Sequence, residues 1–232
     1  MVAETHEDPA QLPLGGTDGA PLIPAMDDPV ALALERGEEA LAHNEFGAAE
    51  AAFRDALAAA PGHVRARVRL ALALDRQGNA AAAKAELDGA LAQHGDNVTL
   101  LIGRAALASS RLRYADAEAD LRRALRVTES NAEVFLQLGV LHCRRARWRE
   151  AIEPLHRAIE LDPTLSGAHY HLGEAFNHVD DLELARRAFE RAAELEPMHW
   201  RAFQGLGMVF DRLRRPIEAA AAYRRSREAQ RA

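Results

Sequence analysis

An alanine followed four residues later by a bulky side chain recurs six times in this sequence at one fixed spacing. The pairs are Ala49/Phe53, Ala83/Leu87, Ala117/Leu121, Ala151/Leu155, Ala185/Phe189 and Ala219/Tyr223, each 34 residues after the last. A period of this length marks a solenoid, in which similar helix or strand units stack and each buries its neighbour's apolar face. Such a fold has a long groove rather than an enclosed pocket, and a groove suits a peptide.

Other columns keep the same phase. Leu-Gly recurs at Leu138-Gly139, Leu172-Gly173 and Leu206-Gly207. Phe135, His169 and Phe203 stand three residues before these pairs, and His142, Phe176 and Phe210 three residues after each glycine. A second small residue follows at Ala56, Ala90, Ala124, Ala158, Ala192 and Ser226. Pro61, Gly95, Pro163 and Pro197 close four of the units as helix stops, and Glu129 stands where the third unit has none. Apolar residues inside each unit fall at helical spacing, as in Ala151, Leu155, Ala158 and Ile159, with a polar turn between two such runs. Asn97, Asn131 and Asp28-Pro29 suit helix starts. Pro216 falls where a last helix would begin, and Pro154 lies inside a helix, where a local bend is expected.

This pattern of aromatic, Leu-Gly, aromatic, then Ala, aromatic and Pro resembles the tetratricopeptide repeat. The resemblance covers six units beginning at Val30, Val64, Val98, Ala132, Ser166 and Trp200. It implies an all-α, right-handed superhelical solenoid of six helix–turn–helix repeats, about twelve helices, over residues 30–232. Arg36 and Arg104 stand where the family expects Leu, and Arg67 where it expects an aromatic. Their stems are expected to cover apolar surface while their guanidinium groups reach water. Ser226 and Arg227 replace Ala and Leu in the last helix and read as a polar end cap.

Residues 1–29 are different material, with five prolines, three glycines, six acids and no Lys or Arg. Such a stretch buries too little apolar surface to offset its ordering entropy, so a disordered acidic leader is expected. Leu12, Leu14, Leu22, Ile23 and Met26 give it short aliphatic motifs for a partner or for the chain's own groove. The leader carries the whole net charge of −6; the six units carry −4, +1, +2, 0, −4 and +5. A neutral scaffold with one Arg-rich end lacks the broad basic stripe of a nucleic-acid binder. No apolar run approaches the roughly 18 residues that span a bilayer. The first residues lack the basic and apolar regions of a secretory signal, and Cys143 is the sole cysteine, so a cytoplasmic protein is expected. Arg supplies 28 of 29 basic residues beside abundant Ala, a composition that points to a GC-rich bacterial genome.

No Gly-rich phosphate loop, nucleophile elbow or metal-spaced Cys pair is present, so neither an enzyme nor a cofactor is expected. His171, Glu174 and His178 share one helical face at i, i+3 and i+7. A helical zinc pair uses i and i+4, and at about 1.5 Å rise per residue the two histidines stand about 10.5 Å apart. No metal ligand set is assigned. Cys143, beside Arg144, reads as structural rather than as a reactive thiol.

In the family that this chain resembles, one face of each first helix lines the concave surface. The matching positions here give an apolar strip, Leu34, Val68, Leu72, Ile102, Ala106, Leu136 and Val140. They continue into a polar and aromatic stretch, Gln137, Cys143, Arg144, Tyr170, His171, Glu174, Asn177, His178, Met208, Asp211 and Arg212. Repeats that grip chaperone C-terminal carboxylates use Lys and Asn, then Asn, then Lys and Arg. This chain has Leu34 and Glu38, then Arg69, then Thr99 and Gly103, which excludes that clamp. The expected function is a non-enzymatic scaffold that binds another protein's peptide or helix in the groove, without nucleic acid or membrane insertion. Two alternatives stand beside it. One is a metal-dependent or redox protein using the His-rich fifth unit. The other is a self-associating structural protein joined end to end by its acidic first and basic sixth units.

Overall fold

The computed structural model describes residues 28–231, and the leader up to residue 27 lies outside the described residues. Twelve helices follow in pairs: α1 (Pro29–Ala42) with α2 (Phe46–Ala59), α3 (Val64–Arg76) with α4 (Ala80–His94), and α5 (Val98–Ser110) with α6 (Tyr114–Val127). Then come α7 (Ala132–Arg144) with α8 (Trp148–Leu161), α9 (Ser166–His178) with α10 (Leu182–Leu195), and α11 (Trp200–Arg212) with α12 (Pro216–Arg231). No strand occurs among the described residues. Asp28, Asn97 and Asn131 cap α1, α5 and α7 by accepting from the backbone N–H groups of Val30, Leu100 and Val134. Pro29 and Pro216 occupy first helical positions, where a missing N–H is harmless. Helix α8 runs through Pro154 as one element.

Each helix packs against the helices before and after it in the chain. Beyond that, α3 meets α5, α5 meets α7, α7 meets α9 and α9 meets α11, whereas the second helices make no comparable contacts with one another. The array is therefore closer on the side of the first helices, which form its inner face. This places their outward side chains along one continuous concave surface.

The repeating pairs build the core. Ala49, Ala83, Ala117, Ala151 and Ala185 are fully buried, as are Phe53, Leu87, Leu121, Leu155 and Phe189. The bulky member lands on a small residue of the facing helix. A Cβ at Gly139 would stand 2.4 Å from Leu155, and one at Gly173 would stand 2.7 Å from the Phe189 ring. These helices can approach closely only because glycine offers no side chain at the crossing. Burial of each Phe or Leu contributes about 1.5–3 kcal/mol, which sustains a ribbon-shaped core that no single repeat could build.

The turn inside each pair repeats as regularly as the core. The N–H groups of Glu45, Asn79, Arg113, Arg147, Asp181 and Arg215 donate to the carbonyls of Ala40, Leu74, Ala108, His142, Phe176 and Phe210, at 2.8–2.9 Å. This bond ends each first helix and satisfies a carbonyl that the helix itself leaves open. The residue just before each donor takes a positive φ: Asn44, Gly78, Leu112, Ala146, Asp180 and Arg214. No sequence column announces this, because only Gly78, Asn44 and Asp180 suit the left-handed region. Leu112, at φ 59° and 71% exposed, pays the steric cost without packing in return. Leu112→Gly is expected to raise the unfolding free energy by about 1 kcal/mol. A chemical denaturation midpoint that falls would show that Leu112 makes a contact the fold needs.

Two expectations require correction. The guanidinium groups of Arg67 and Arg104 do not reach open water. Arg67 Nη1 sits 2.9 Å from Glu86 Oε2 and its Nη2 donates to the Pro61 carbonyl at 2.7 Å. Arg104 forks onto Asp120, Nε to Oδ2 at 2.8 Å and Nη2 to Oδ1 at 2.6 Å, while Nη1 reaches Asp88 Oδ1 at 2.8 Å. Arg36 does stay exposed, and it too pairs within its own repeat, with Asp55 at 3.1 Å. An arginine in a position made for an apolar side chain is thus held by a carboxylate on the second helix of the same pair. Ser226 also differs: it is buried, and its hydroxyl donates to the Trp200 carbonyl at 2.9 Å, tying α12 to α11 rather than facing solvent. Arg227 is exposed, as a cap residue should be.

Candidate functional site

A large apolar recess on the inner face is a cleft of about 690 Å³ between α3 and α5, closed at one side by α7. Its floor is made by Val68 and Leu72 from α3 and by Val98, Ile102 and Leu107 from α5. Helical spacing accounts for this, since Val68 and Leu72 lie one turn apart on the face opposite the buried Leu70 and Leu74. Gly103 lets the two helices close up; a Cβ there would stand 2.9 Å from Val68 Cγ1.

Four of the seven residues of the expected apolar strip come together here: Val68, Leu72, Ile102 and Ala106. The other three do not join them. Leu34 packs beside Val30 and Leu57 around Ala33, Ala56 and Ala66. Leu136 is buried in the core of the second half of the array. Val140 lines a separate narrow recess of about 30 Å³ with Gln137 and Arg144. The strip is therefore a cleft of two helices rather than a line along four repeats.

Charge frames the cleft. Arg69 pairs with Glu38 at 2.8 Å, and Asp75 accepts from Arg111 at 2.6 Å. Glu133 accepts from Gln137 at 2.8 Å. Arg76 and Arg144 also line it, both exposed and neither paired with a carboxylate among the described residues; Arg144 has only a 3.4 Å contact to Ser109 Oγ. Arg76 was missed as a site residue, although it occupies the same place in its repeat as Arg144, the last residue of a first helix. That shared position was the available signal.

The second half of the inner face is polar and tied up internally. Tyr170 Oη donates to Glu174 Oε1 at 2.7 Å, and His171 Nδ1 lies 2.7 Å from Glu174 Oε2. Burial alone would raise the Glu174 carboxyl, but these hydrogen bonds hold it below its ordinary value. Burial, helped by the bond to Glu174, raises the Tyr170 phenol. Asn177 and His178 have other partners. Arg212 donates to the Asn177 carbonyl and side chain, the latter at 2.6 Å, and His178 stacks on Trp148 with centroids 3.8 Å apart. Tyr170, His171 and Glu174 thus form one cluster, while His178 faces a different neighbour. Cys143 is buried, which pushes its thiol up to about 12. Among the described residues, no group of His, Cys, Asp and Glu is arranged to hold a metal ion, and no helix is long and apolar enough to cross a membrane.

Three other histidines make the array sensitive to acid. Burial depresses His142, His169 and His199 below the ordinary imidazole range. His142 Nδ1 is buried without a hydrogen-bond partner, and His199 Nδ1 accepts from the Ala202 N–H as the cap of α11, a role that protonation ends. With folded values below the unfolded one of about 6.5, the unfolded chain binds more protons as pH falls through that value. Stability is accordingly expected to fall as pH drops from about 7.5 to 5.5. A thermal midpoint that holds or rises over this interval would contradict the burial of these rings.

The sequence matches the tetratricopeptide repeat over residues 40–107, 100–166 and 172–232. No curated protein matches the chain significantly. Among solved structures, the chain is similar to the thermophilic TPR protein TTC0263 of Thermus thermophilus, at 19% identity and a TM-score of 0.68, covering 78% of this chain and 98% of that one. It is similar to PilF of Pseudomonas aeruginosa at 18% identity and a TM-score of 0.64, covering 84% and 89%. It is also similar to YrrB, described as a TPR protein with an unusual peptide-binding site, at 22% identity and a TM-score of 0.54, covering 77% and 92%. At these identities the structures speak for the fold alone. The matched residues span most of the repeating helix pairs described above, and the chain belongs to the tetratricopeptide repeat family.

Proposed function

We propose that this protein is a non-enzymatic scaffold that holds a peptide segment of another protein in the cleft between α3 and α5. A fold of this family works as a protein-interaction scaffold in general; the cleft is what narrows it. The observation that carries the proposal is the grouping of Val68, Leu72 and Ile102 in one open recess on the inner face. Aliphatic side chains of a ligand would rest on that floor, since an apolar surface of this kind gains by being covered. A ligand that ran on past α7 would meet Tyr170, His171 and Glu174, a fixed polar group for orienting its backbone. YrrB provides a precedent within the fold for a peptide site. The division into a leader, residues 1–29, and a repeat domain, residues 30–232, is part of the same proposal.

The test is a random peptide library panned against the full chain, with counter-selection on Ile102→Asp. The charge lands on the cleft floor, at a residue that is only partly buried. Peptides that bind the native chain are expected to lose at least ten-fold in affinity on the variant while its helical circular dichroism is kept. Selected peptides that bind both chains equally would remove the cleft as the site.

A further inference from the structure

We infer that residues 18–27 of this chain, centred on Leu22 and Ile23, occupy the α3–α5 cleft of their own chain until a partner displaces them. This rests on the cleft being the peptide site. Chemistry is the first support. The cleft pairs an aliphatic floor with two arginines, Arg76 and Arg144, at the C-terminal ends of α3 and α7, that no carboxylate neutralises among the described residues, while Glu133 lines its other end with only Gln137 as partner. The matching occupant is a peptide whose adjacent aliphatic residues are preceded by an acid that reaches these arginines, as Asp18 precedes Leu22 and Ile23. Residues 1–27 hold five acids, Glu4, Glu7, Asp8, Asp18 and Asp27, and neither Lys nor Arg. Leu22 and Ile23 lie between Asp18 and Asp27 and are flanked by Pro21 and Pro24. The prolines limit the backbone freedom lost on docking, which favours this stretch over an unconstrained one.

Reach is the second support. Asp28 is held at the start of α1, where its side chain accepts from the Val30 N–H at 2.9 Å. Val98 and Thr99 at the start of α5, and Asn131 just before α7, line one mouth of the cleft. Successive first helices run in the same sense, so this mouth opens on the edge of the array where α1 begins. Packed helices lie about 8–10 Å apart, and α1 does not pack closely on α3, so the cleft lies on the order of 20 Å from α1. Six residues from Asp28 back to Leu22 span about 20 Å when extended. The aliphatic pair therefore arrives at the cleft with little slack. A tether this short gives an effective concentration in the millimolar range, enough to fill the site even when intrinsic affinity is modest.

A synthetic peptide of residues 14–27 titrated by calorimetry into two full-length chains tests this. One is native and the other carries Leu22→Asp and Ile23→Asp, which disarm the tethered copy. The free peptide is expected to bind the double variant at least ten-fold more tightly than the native chain. Adding Ile102→Asp to the double variant is expected to abolish that binding. Arg76→Glu with Arg144→Glu is expected to weaken it, and the loss should shrink at high salt. Amide exchange over residues 18–27 of the native chain provides a second measurement, expected to be at least ten-fold slower than in Ile102→Asp. Equal affinity for native and double-variant chains, or no binding to either, would overturn the inference. If library peptides bind in an Ile102-dependent way while the leader peptide does not, the cleft reading stands and the leader inference alone falls. If library peptides ignore Ile102, both fall.

Discussion

Phe189→Ala is expected to lower the stability of the array by about 3–5 kcal/mol, the range for emptying a fully buried aromatic site. The Phe189 ring is completely buried and lies against two glycines in different repeats. A Cβ at Gly173 on α9 would stand 2.7 Å from the ring, and one at Gly205 on α11 would stand 2.6 Å from it. Phe189 therefore joins the fifth pair to the sixth as well as its own two helices. Glycines cannot move side chains in to refill the space, so the cavity stays open and the larger end of the range applies. Because a solenoid couples only nearest neighbours, the loss should localise. Amide exchange should accelerate in α9 to α12 and change little in α1 to α4. A loss below about 1 kcal/mol, or one spread evenly along the chain, would contradict the packing described for this interface.

The second large effect concerns Arg104. Arg104→Leu restores the residue type that the repeat favours, yet it is expected to destabilise by about 3 kcal/mol. The reason is Asp120, whose side chain is 11% exposed and receives both arms of the Arg104 fork. Removing Arg104 leaves a buried carboxylate without its partner, and its desolvation is then uncompensated. Asp88 suffers less, since it is more exposed and keeps Lys84. Arg104→Leu combined with Asp120→Ala removes both charges and is expected to return to within about 1 kcal/mol of the native chain. Urea denaturation of the two single variants and the double variant measures the coupling directly. Simple additivity of the two single losses would show that the fork carries no net interaction.

The helices were legible in the sequence because the repeat writes itself six times. Any one Ala/bulky pair would mean little in so Ala-rich a chain, but six in phase specify both the helix pairs and the residues at their crossings. What escaped detection was pairwise rather than periodic. The ion pairs of Arg67 and Arg104 join residues 19 and 16 positions apart, and a column-by-column reading compares a residue with its repeat mates, not with its contacts. The positive φ at Leu112, Ala146 and Arg214 escaped for a related reason. The bond closing each first helix is made by backbone atoms, which lets tertiary packing hold unsuitable side chains in that conformation. The inner face was legible only in part. Position in the repeat identified Val68, Leu72, Ile102 and Ala106, but whether a side chain is free or sunk depends on the local spacing of first helices. Leu136 is buried in the second half of the core, where an equivalent position in α3 stays open.

If the α3–α5 cleft is the proposed ligand site, its floor governs affinity. Titration of one library-selected peptide into the native chain, Ile102→Asp and Met208→Asp decides this. Met208 provides the control, being an apolar residue 43% exposed on α11, far along the array from the cleft. At least a ten-fold loss of affinity is expected for Ile102→Asp, with an unchanged dissociation constant for Met208→Asp. Native affinity in Ile102→Asp with a loss in Met208→Asp would place the ligand on the other half of the array and contradict the proposed site.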